Sequence, residues 1–306
     1  MRAASATLAL KARARSSMIE MPLTDVSIVL VTYNREKFLP RTLDCVLAQS
    51  YPNFELLICD DASTDGTRQI CERYAQQDRR IRYIRNPRNL GMPGNLNNGI
   101  RLARHELVAT LHDGDIYAPT LIEKWRAALL RFPSAAFVFN QYTHLSPDGR
   151  SGATTARLPE FMTGKDFLEQ LVFADRDVEF AVWGTVMARR SVYLEMGLFD
   201  ERYSFWADMD MWCRVTERYD VAYVNEPLIL LPHRLAMPHL FQEKMLTAHK
   251  TIFRIHWNAR VRHYRGRPRQ MLAALLSMTF NFVTIRSAKL YRRLLRRMRP
   301  AQSSSS

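Results

Sequence analysis

Acidic residues follow two apolar runs of this 306-residue chain at the point where each run ends. An Asp-Asp pair at 60–61 follows the run at 54–59, and an Asp-Gly-Asp triplet at 113–115 follows the run at 107–111. If both runs are strands of one parallel sheet, their carboxylates gather at its carboxyl edge, where open α/β sheets bind ligands. Carboxylate oxygens suit a hard divalent cation and also accept hydrogen bonds from a nucleotide. The pattern therefore predicts an edge that binds a nucleotide and a metal ion.

The apolar runs alternate with amphipathic segments in the first half of the chain. Strands are predicted at residues 26–31, 54–59, 81–84 and 107–111, and helices after residue 39, at 67–76 and at 95–104. This alternation is too tight for anything but crossover units, which predicts a parallel, doubly wound sheet.

The pattern loosens beyond residue 140, where the elements look built onto the same sheet. A loop is predicted at 152–159, helices at 164–173, 190–196 and 208–218, and strands at 181–188, 221–224 and 228–231.

The net charge of +14 is unevenly distributed. Residues 244–306 contain 15 Lys or Arg and no Asp or Glu, whereas the body of the chain is mildly acidic. A basic tail can bind nucleic acid or an anionic membrane surface, because both are arrays of phosphate. The aliphatic content of the tail favours the membrane, through residues 254–299, so no nucleic-acid partner is expected.

Cysteine usage and hydropathy narrow the cellular setting. The four cysteines are scattered through apolar elements without metal-type spacing, which predicts free thiols in a reducing compartment. No run reaches the roughly 18 to 20 apolar residues of a spanning helix, and export is not indicated.

Five ordered motifs carry a family resemblance. They occupy residues 27–34, 47–56, 60–66, 197–201 and 208–214. Together they resemble family-2 glycosyltransferases, which are inverting enzymes of the GT-A fold that use nucleotide sugars. The resemblance covers about residues 26–231, and the combination is far more specific than any single motif.

The resemblance implies which residues bind the donor. It places the base and ribose at the turn of Thr32, Tyr33 and Asn34 and at the second acid, Asp61. A carboxylate there can accept the imide N–H of uracil or thymine. Two further candidates are Asn97, near the donor, and Trp183, which could stack on a sugar face or equally belong to the core.

The resemblance also implies a metal site and a base. Asp115, with Asp113 on the metal or on the ribose, would hold Mg²⁺ or Mn²⁺ on the diphosphate, where charge builds as the sugar leaves. Asp208 would be the base that takes the proton of the attacking hydroxyl. The chain departs from the family at Gly114 and Ala207, where many relatives carry acids.

The sequence thus predicts an α/β protein of the GT-A fold with a mainly parallel, Rossmann-like sheet and a basic helical C-terminal tail. Its predicted parts are a basic extension (1–24), a nucleotide-sugar-binding half (25–145), an acceptor-binding and catalytic half (146–243) and a membrane-associating tail (244–306).

The predicted function is inverting transfer of a hexosyl or deoxyhexosyl group from a UDP-, dTDP- or GDP-sugar to a glycan or lipid-linked acceptor, at the cytoplasmic face of the plasma membrane. Two alternatives remain at this stage: a catalytically silent scaffold that binds sugar nucleotides, and a nucleic-acid-binding protein that uses the basic tail.

Overall fold

The computed structural model of the protein describes residues 25–145, 151–154, 157–173, 184–232, 238–265 and 272. The chain divides into two compact units, Met1–Ile252 and Phe253–Ser306. The sheet and all described residues of the predicted nucleotide, metal and base sites belong to the first unit. The domain limits at 145 and 243 remain predictions.

The strands of the described residues form one sheet. They are β1 (Val26–Thr32), β2 (Phe54–Asp60), β3 (Ile81–Arg85), β4 (Leu107–His112), β5 (Ile116–Tyr117), β6 (Ala135–Leu145), β7 (Ser151–Thr154), β8 (Phe161–Met162), β9 (Val186–Arg189) and β10 (Asp220–Leu231). The order is β3-β2-β1-β4-β9-β6-β10-β5, with β7 beside β6 and β8 beside β10.

The first four strands are parallel, as the sequence predicts. β1 pairs with β2 so that Thr32 lies opposite Asp60, and with β4 so that Val31 lies opposite His112. The three strands therefore end level with one another. Asp61 and Asp113, each one residue beyond its strand, emerge at the same edge.

The second half of the chain joins this sheet and makes it mixed. β9 runs antiparallel to both β4 and β6, whereas β10 runs parallel to β6. The two strands predicted at 221–224 and 228–231 are one long strand with register shifts around Pro227, which has no N–H for the ladder. β7 occupies part of the predicted loop at 152–159.

Helices flank the sheet. They are α1 (Leu39–Leu47), α2 (Thr67–Gln77), α3 (Gly91–Leu102), α4 (Leu121–Arg131), α5 (Gly164–Phe173), α6 (Arg190–Glu195), a 3₁₀ turn (Glu201–Trp206), α7 (Ala207–Thr216) and α8 (Pro238–His263). No helix among the described residues has the length and apolar character that a membrane crossing requires.

Side chains alternate between the two faces of the sheet. Ile28 and Leu30 of β1 pack in one core cluster with Leu39 and Leu43 of α1. The intervening Val29 lies against α3 on the other face. Because successive strand residues point to opposite faces, one strand serves both layers.

Helix α3 lies directly on the sheet at Gly99. A Cβ atom there would lie 2.4 Å from Cγ1 of Val29 and 2.9 Å from Sγ of Cys59. The helix begins four residues earlier than predicted, because Pro93 is tolerated in a first turn, where its missing N–H has no helical partner. α3 therefore brings its asparagines close to the ends of β1 and β2.

The close approach at Gly99 gives a stability prediction. Gly99→Ala should lower the free energy of unfolding by about 1–3 kcal/mol through overpacking against β1 and β2, although alanine favours an isolated helix. Urea denaturation measures the change. The control is Arg101→Ala, at an exposed position of the same helix, which should change the free energy of unfolding by less than about 0.5 kcal/mol. A Gly99→Ala variant more stable than the wild type would contradict this packing.

Candidate active site

The turn after β1 is joined to the loop after β2. Asn34 has a positive φ of 52°, its N–H donates to Oγ of Ser63 at 2.9 Å, and its Oδ1 accepts the N–H of Thr64 at 2.8 Å. Tyr33 is 45% exposed, so its ring is available to cover a ligand. The buried Oγ1 of Thr32 has no hydrogen-bond partner among the described residues, which leaves a polar atom for a ligand to satisfy.

The two acids after β2 have different environments. Asp60 is fully buried, accepts hydrogen bonds from the Ser63 N–H and the Tyr83 hydroxyl, and lies 3.5 Å from Nε of Arg85. Burial, together with this bond to Asp60, raises the pKa of Tyr83. Asp60 therefore holds the loop together.

Among the described residues, hydrogen bonds to the Asp61 side chain reach one of its two oxygens. Oδ1 accepts hydrogen bonds from Nδ2 of Asn86 at 2.9 Å and from the Leu90 N–H at 2.8 Å. Oδ2 accepts none from the described residues. Asp61 is thus the acid of this pair that has an oxygen left for a ligand.

A network of asparagine side chains supports Asp61. Asn86 also donates to Oδ1 of Asn95 at 2.9 Å, Asn95 donates to the Cys59 carbonyl at 2.8 Å, and Asn98 donates to Oδ1 of Asn86 at 2.8 Å. Asn86 is not among the site residues predicted from the sequence. The sequence signal that could have pointed to it is the cluster of five asparagines at positions 86, 89, 95, 97 and 98.

Asn97 makes contacts away from this network. Its Nδ2 donates to the Phe199 carbonyl and its Oδ1 accepts the Phe199 N–H, both at 2.9 Å. These bonds join α3 to the turn before the 3₁₀ segment. Asn97 therefore has a structural role between these two elements, and its place among the donor contacts stays a prediction.

The Asp-Gly-Asp turn after β4 is held by α1. Oγ1 of Thr42 accepts the Gly114 N–H at 2.9 Å and donates to the Asp115 carbonyl at 3.1 Å, and Gly114 has a positive φ of 87°. Oδ1 of Asp113 lies 3.3 Å from Nε of Arg35, and Asp115 is buried. Neither Thr42 nor Arg35 is evident from the sequence, because both contacts join residues far apart in the chain.

These carboxylates fit a divalent cation. The described residues hold no group of three or more His, Cys, Asp or Glu that could ligate a metal by themselves. Mg²⁺ and Mn²⁺ accept carboxylate oxygens, and Mg²⁺ is commonly held by one or two carboxylates with substrate phosphates and water completing the shell. Asp115 and Asp113 supply such a partial set.

Asp208 lies in the first turn of α7 and is only 7% exposed. Burial raises the pKa of its carboxyl to about 7, and hydrogen bonds from the N–H groups of Asp208 itself, Met209 and Gly184 offset only part of this effect. The bond from Met209 is 2.7 Å long. A carboxyl with this pKa can change its protonation state near neutral pH, as a general base requires.

Gly184 connects Asp208 to the end of β4. Its N–H is close enough to the Asp208 carboxyl to lower the pKa of that group, and a Cβ atom there would lie 2.9 Å from Nε2 of His112, the last residue of β4. Its carbonyl accepts the hydroxyl of Thr110. Asp208 therefore lies beside the strand end that continues into the Asp113–Asp115 turn.

Asp210, two residues after Asp208, is an ion-pair partner. Its Oδ2 lies 2.7 Å from Nε of Arg214, whose Nη2 donates to the Leu198 carbonyl at 2.8 Å. This pair joins α7 to the preceding turn, so Asp210 is less suited to proton transfer than Asp208. Trp183, the remaining predicted contact, lies outside the described residues.

The chain matches a known protein family and is similar in sequence to known proteins. The sequence model described as Glycosyl transferase family 2 matches residues 27–197. The putative teichuronic acid biosynthesis glycosyltransferase TuaG of Bacillus subtilis is 29% identical over 229 residues, covering 74% of this chain and 86% of TuaG.

Solved structures show the same fold. TarS 1-349 of S. aureus gives a TM-score of 0.63 at 18% identity, covering 84% of this chain and 72% of that one; it has also been solved with UDP-GlcNAc. The mannosyltransferase PcManGT from Pyrobaculum calidifontis, solved with GDP-Man and Mn²⁺, gives 0.55 at 15% identity, covering 93% and 85%. The predicted GT-A fold is thereby confirmed. Because the family model matches more than half of the chain, this protein belongs to glycosyl transferase family 2.

Proposed function

We propose that this protein is an inverting glycosyltransferase that moves a hexosyl or deoxyhexosyl group from a nucleotide-diphosphate sugar to a hydroxyl of a glycan or lipid-linked acceptor. The observation that carries the proposal is the position of Asp208, a carboxyl that is only 7% exposed and is linked through Gly184 to His112 at the end of β4. Its burial raises the pKa to about 7. The names of TuaG, a putative glycosyltransferase, and PcManGT, a mannosyltransferase, support the reaction class. The UDP-GlcNAc bound to TarS and the GDP-Man bound to PcManGT support a nucleotide-sugar donor.

The donor would lie along the carboxyl edge of β1, β2 and β4. Thr32, Tyr33, Asn34 and Asp61 would hold the base and ribose. The diphosphate would then lie toward the Asp113–Asp115 turn, because this turn continues the neighbouring strand at the same level.

Asp115, assisted by Asp113, would hold Mg²⁺ or Mn²⁺ there. A bound cation neutralises charge that develops on the leaving diphosphate. Asp115 is kept as the main candidate ligand because the family resemblance implies it, and Arg35 lies 3.3 Å from Oδ1 of Asp113.

Asp208 would act on the acceptor side. The acceptor hydroxyl oxygen attacks the anomeric carbon and gives its proton to the Asp208 carboxylate, while the bond from that carbon to the diphosphate oxygen breaks. Attack opposite the leaving group inverts the anomeric configuration. The burial that raises the pKa of Asp208 makes its carboxylate a stronger base than an exposed aspartate.

The second unit would bring the enzyme to its acceptor at the cytoplasmic face of the plasma membrane. Four exposed side chains follow one another at helical spacing in residues 253–265: Arg254, Trp257, Val261 and Arg265. Tryptophan and cations on one face suit the boundary between lipid and headgroups. Apart from residue 272, the rest of the predicted membrane stretch, 254–299, lies outside the described residues.

Removing the base tests the proposal. Asp208→Asn should lower nucleotide release from a nucleotide sugar with Mn²⁺ and acceptor by about 10²- to 10⁴-fold, while binding of the nucleoside diphosphate is retained. A panel of UDP-, dTDP- and GDP-sugars identifies the donor first. The control is Asp210→Asn in the same helix, which should lower the stability of the protein more than its turnover. Undiminished turnover in Asp208→Asn would refute the assignment of the base. If the wild type turns over none of these donors, the silent scaffold is favoured.

The pH dependence of the rate tests the raised pKa. A base must be ionised to accept a proton, so kcat/KM for the acceptor should rise about tenfold per pH unit below pH 7 and level off above it. The inflection should lie near pH 7, the pKa of Asp208. Circular dichroism over the same range checks that the fold persists, and a rate that stays flat from about pH 8 to pH 5.5 would contradict the role of Asp208.

Membrane binding is tested by co-sedimentation with vesicles of phosphatidylglycerol and phosphatidylcholine. Trp257→Ser, and separately Arg254→Glu with Arg265→Glu, should each weaken binding at least about fivefold, since one removes apolar burial and the other the attraction to anionic lipid. Arg101→Ala, in the first unit, is the control. Equal binding by all variants, or salt-sensitive binding to nucleic acid in place of vesicles, would contradict the membrane role.

A further inference from the structure

The hydrogen bonds of Asp61 leave it with one open oxygen. A carboxylate oxygen offers about two lone-pair positions, and both positions on Oδ1 are taken, by Asn86 at 2.9 Å and by the Leu90 N–H at 2.8 Å. Oδ2 has no partner among the described residues. A ligand therefore meets a single acceptor atom rather than the two-oxygen fork of a free carboxylate.

The asparagine network fixes this arrangement. Asn95 must turn its Nδ2 toward the Cys59 carbonyl, which leaves its Oδ1 facing Asn86. Asn86 consequently presents Nδ2 to both Asn95 and Asp61, while its Oδ1 accepts from Asn98 and its N–H donates to the Asp60 carbonyl at 2.8 Å. A flipped Asn86 amide would place an oxygen against both acceptors, so the donor to Asp61 is determined.

A single acceptor discriminates among bases. Uracil and thymine offer one imide N–H between two carbonyl oxygens, so a single acceptor oxygen satisfies the donor. The other carboxylate oxygen is already hydrogen-bonded, and it therefore repels the neighbouring carbonyl of the base less than an unbonded oxygen would. Guanine offers two parallel donors, N1–H and N2–H, which match both oxygens of a carboxylate. With Oδ1 occupied, one guanine donor would be buried without a partner, and such losses are costly.

We infer that Asn86 is a positioning residue that makes Asp61 a one-oxygen acceptor, so that the protein selects uridine or thymidine diphospho-sugars over guanosine diphospho-sugars. The inference rests on the proposed function and narrows its donor class. The fold alone does not decide the base, because its solved representatives include complexes with UDP-GlcNAc and with GDP-Man.

Binding of UDP, dTDP and GDP, each with Mn²⁺, to the full chain tests the inference by calorimetry. The wild type should bind UDP and dTDP at least about tenfold more tightly than GDP. Asn86→Ala frees one position on Oδ1, so the ratio of UDP affinity to GDP affinity should fall about fivefold or more. Asn98→Ala removes the hydrogen bond from Asn98 to Oδ1 of Asn86 and should lower that ratio about twofold. This variant replaces Asn86→Ala in the test if Asn86→Ala does not fold.

Asn89→Ala is the matched control. Asn89 lies in the same loop, is exposed, and bonds only the Gly91 N–H among the described residues, at 2.9 Å; its loss should leave the ratio unchanged. GDP binding as tight as UDP binding in the wild type would overturn the inference but leave the proposed function standing. Equal weakening of UDP and GDP in the Asn86 and Asn98 variants would reduce Asn86 to a structural role, and failure of all three nucleotides to bind would overturn the proposed function itself.

Discussion

The pairing register of three parallel strands is the constraint on which the candidate site depends. Thr32 lies opposite Asp60, and Val31 lies opposite His112, so β1, β2 and β4 end at one level. A shift of one residue would turn each strand's side chains to the other face of the sheet. Burial of the apolar strand residues on both faces resists such a shift, and the hydrophobic core therefore fixes the level at which the acids emerge.

Three aspartate side chains near this edge are buried, and each has a different set of hydrogen-bond partners. Asp60 is buried with its partners and stabilises the loop. Asp61 is buried with one oxygen saturated, and its other oxygen accepts no hydrogen bond from the part of the chain that the structure describes. Within the described residues, backbone N–H groups alone offset the desolvation of buried Asp208, and its pKa is therefore raised. Under the proposed function, these different surroundings give the three carboxyls a structural, a recognition and a basic role.

The sequence is sufficient for the fold because each strand of the first half has a local signature. Apolar runs such as Val26–Thr32, alternating with amphipathic helices, predict the parallel sheet, and the ordered motifs predict the family. It is insufficient where a tertiary contact decides the outcome. Pro227 interrupts the strand pattern in the sequence, although β10 continues through it. The contact of Thr42 with the Asp113–Asp115 turn joins two distant parts of the chain. The difference between Asp60 and Asp61, and the role of Asn86, depend on the same kind of non-local hydrogen bonding.

A crystal structure of the protein with UDP and Mn²⁺ tests most directly whether the separate acids serve one donor. We expect the uracil imide N–H at Oδ2 of Asp61 and the diphosphate beside Asp113 and Asp115. The Asp208 carboxylate should face the side of the β-phosphate from which the acceptor would approach. An alternative location exists at the opposite edge of the sheet, where an open pocket of about 620 Å³ is lined by Arg79, Arg80, Arg82 and Arg104. The nucleotide in that pocket, or Asp208 turned away from the bound diphosphate, would contradict the account.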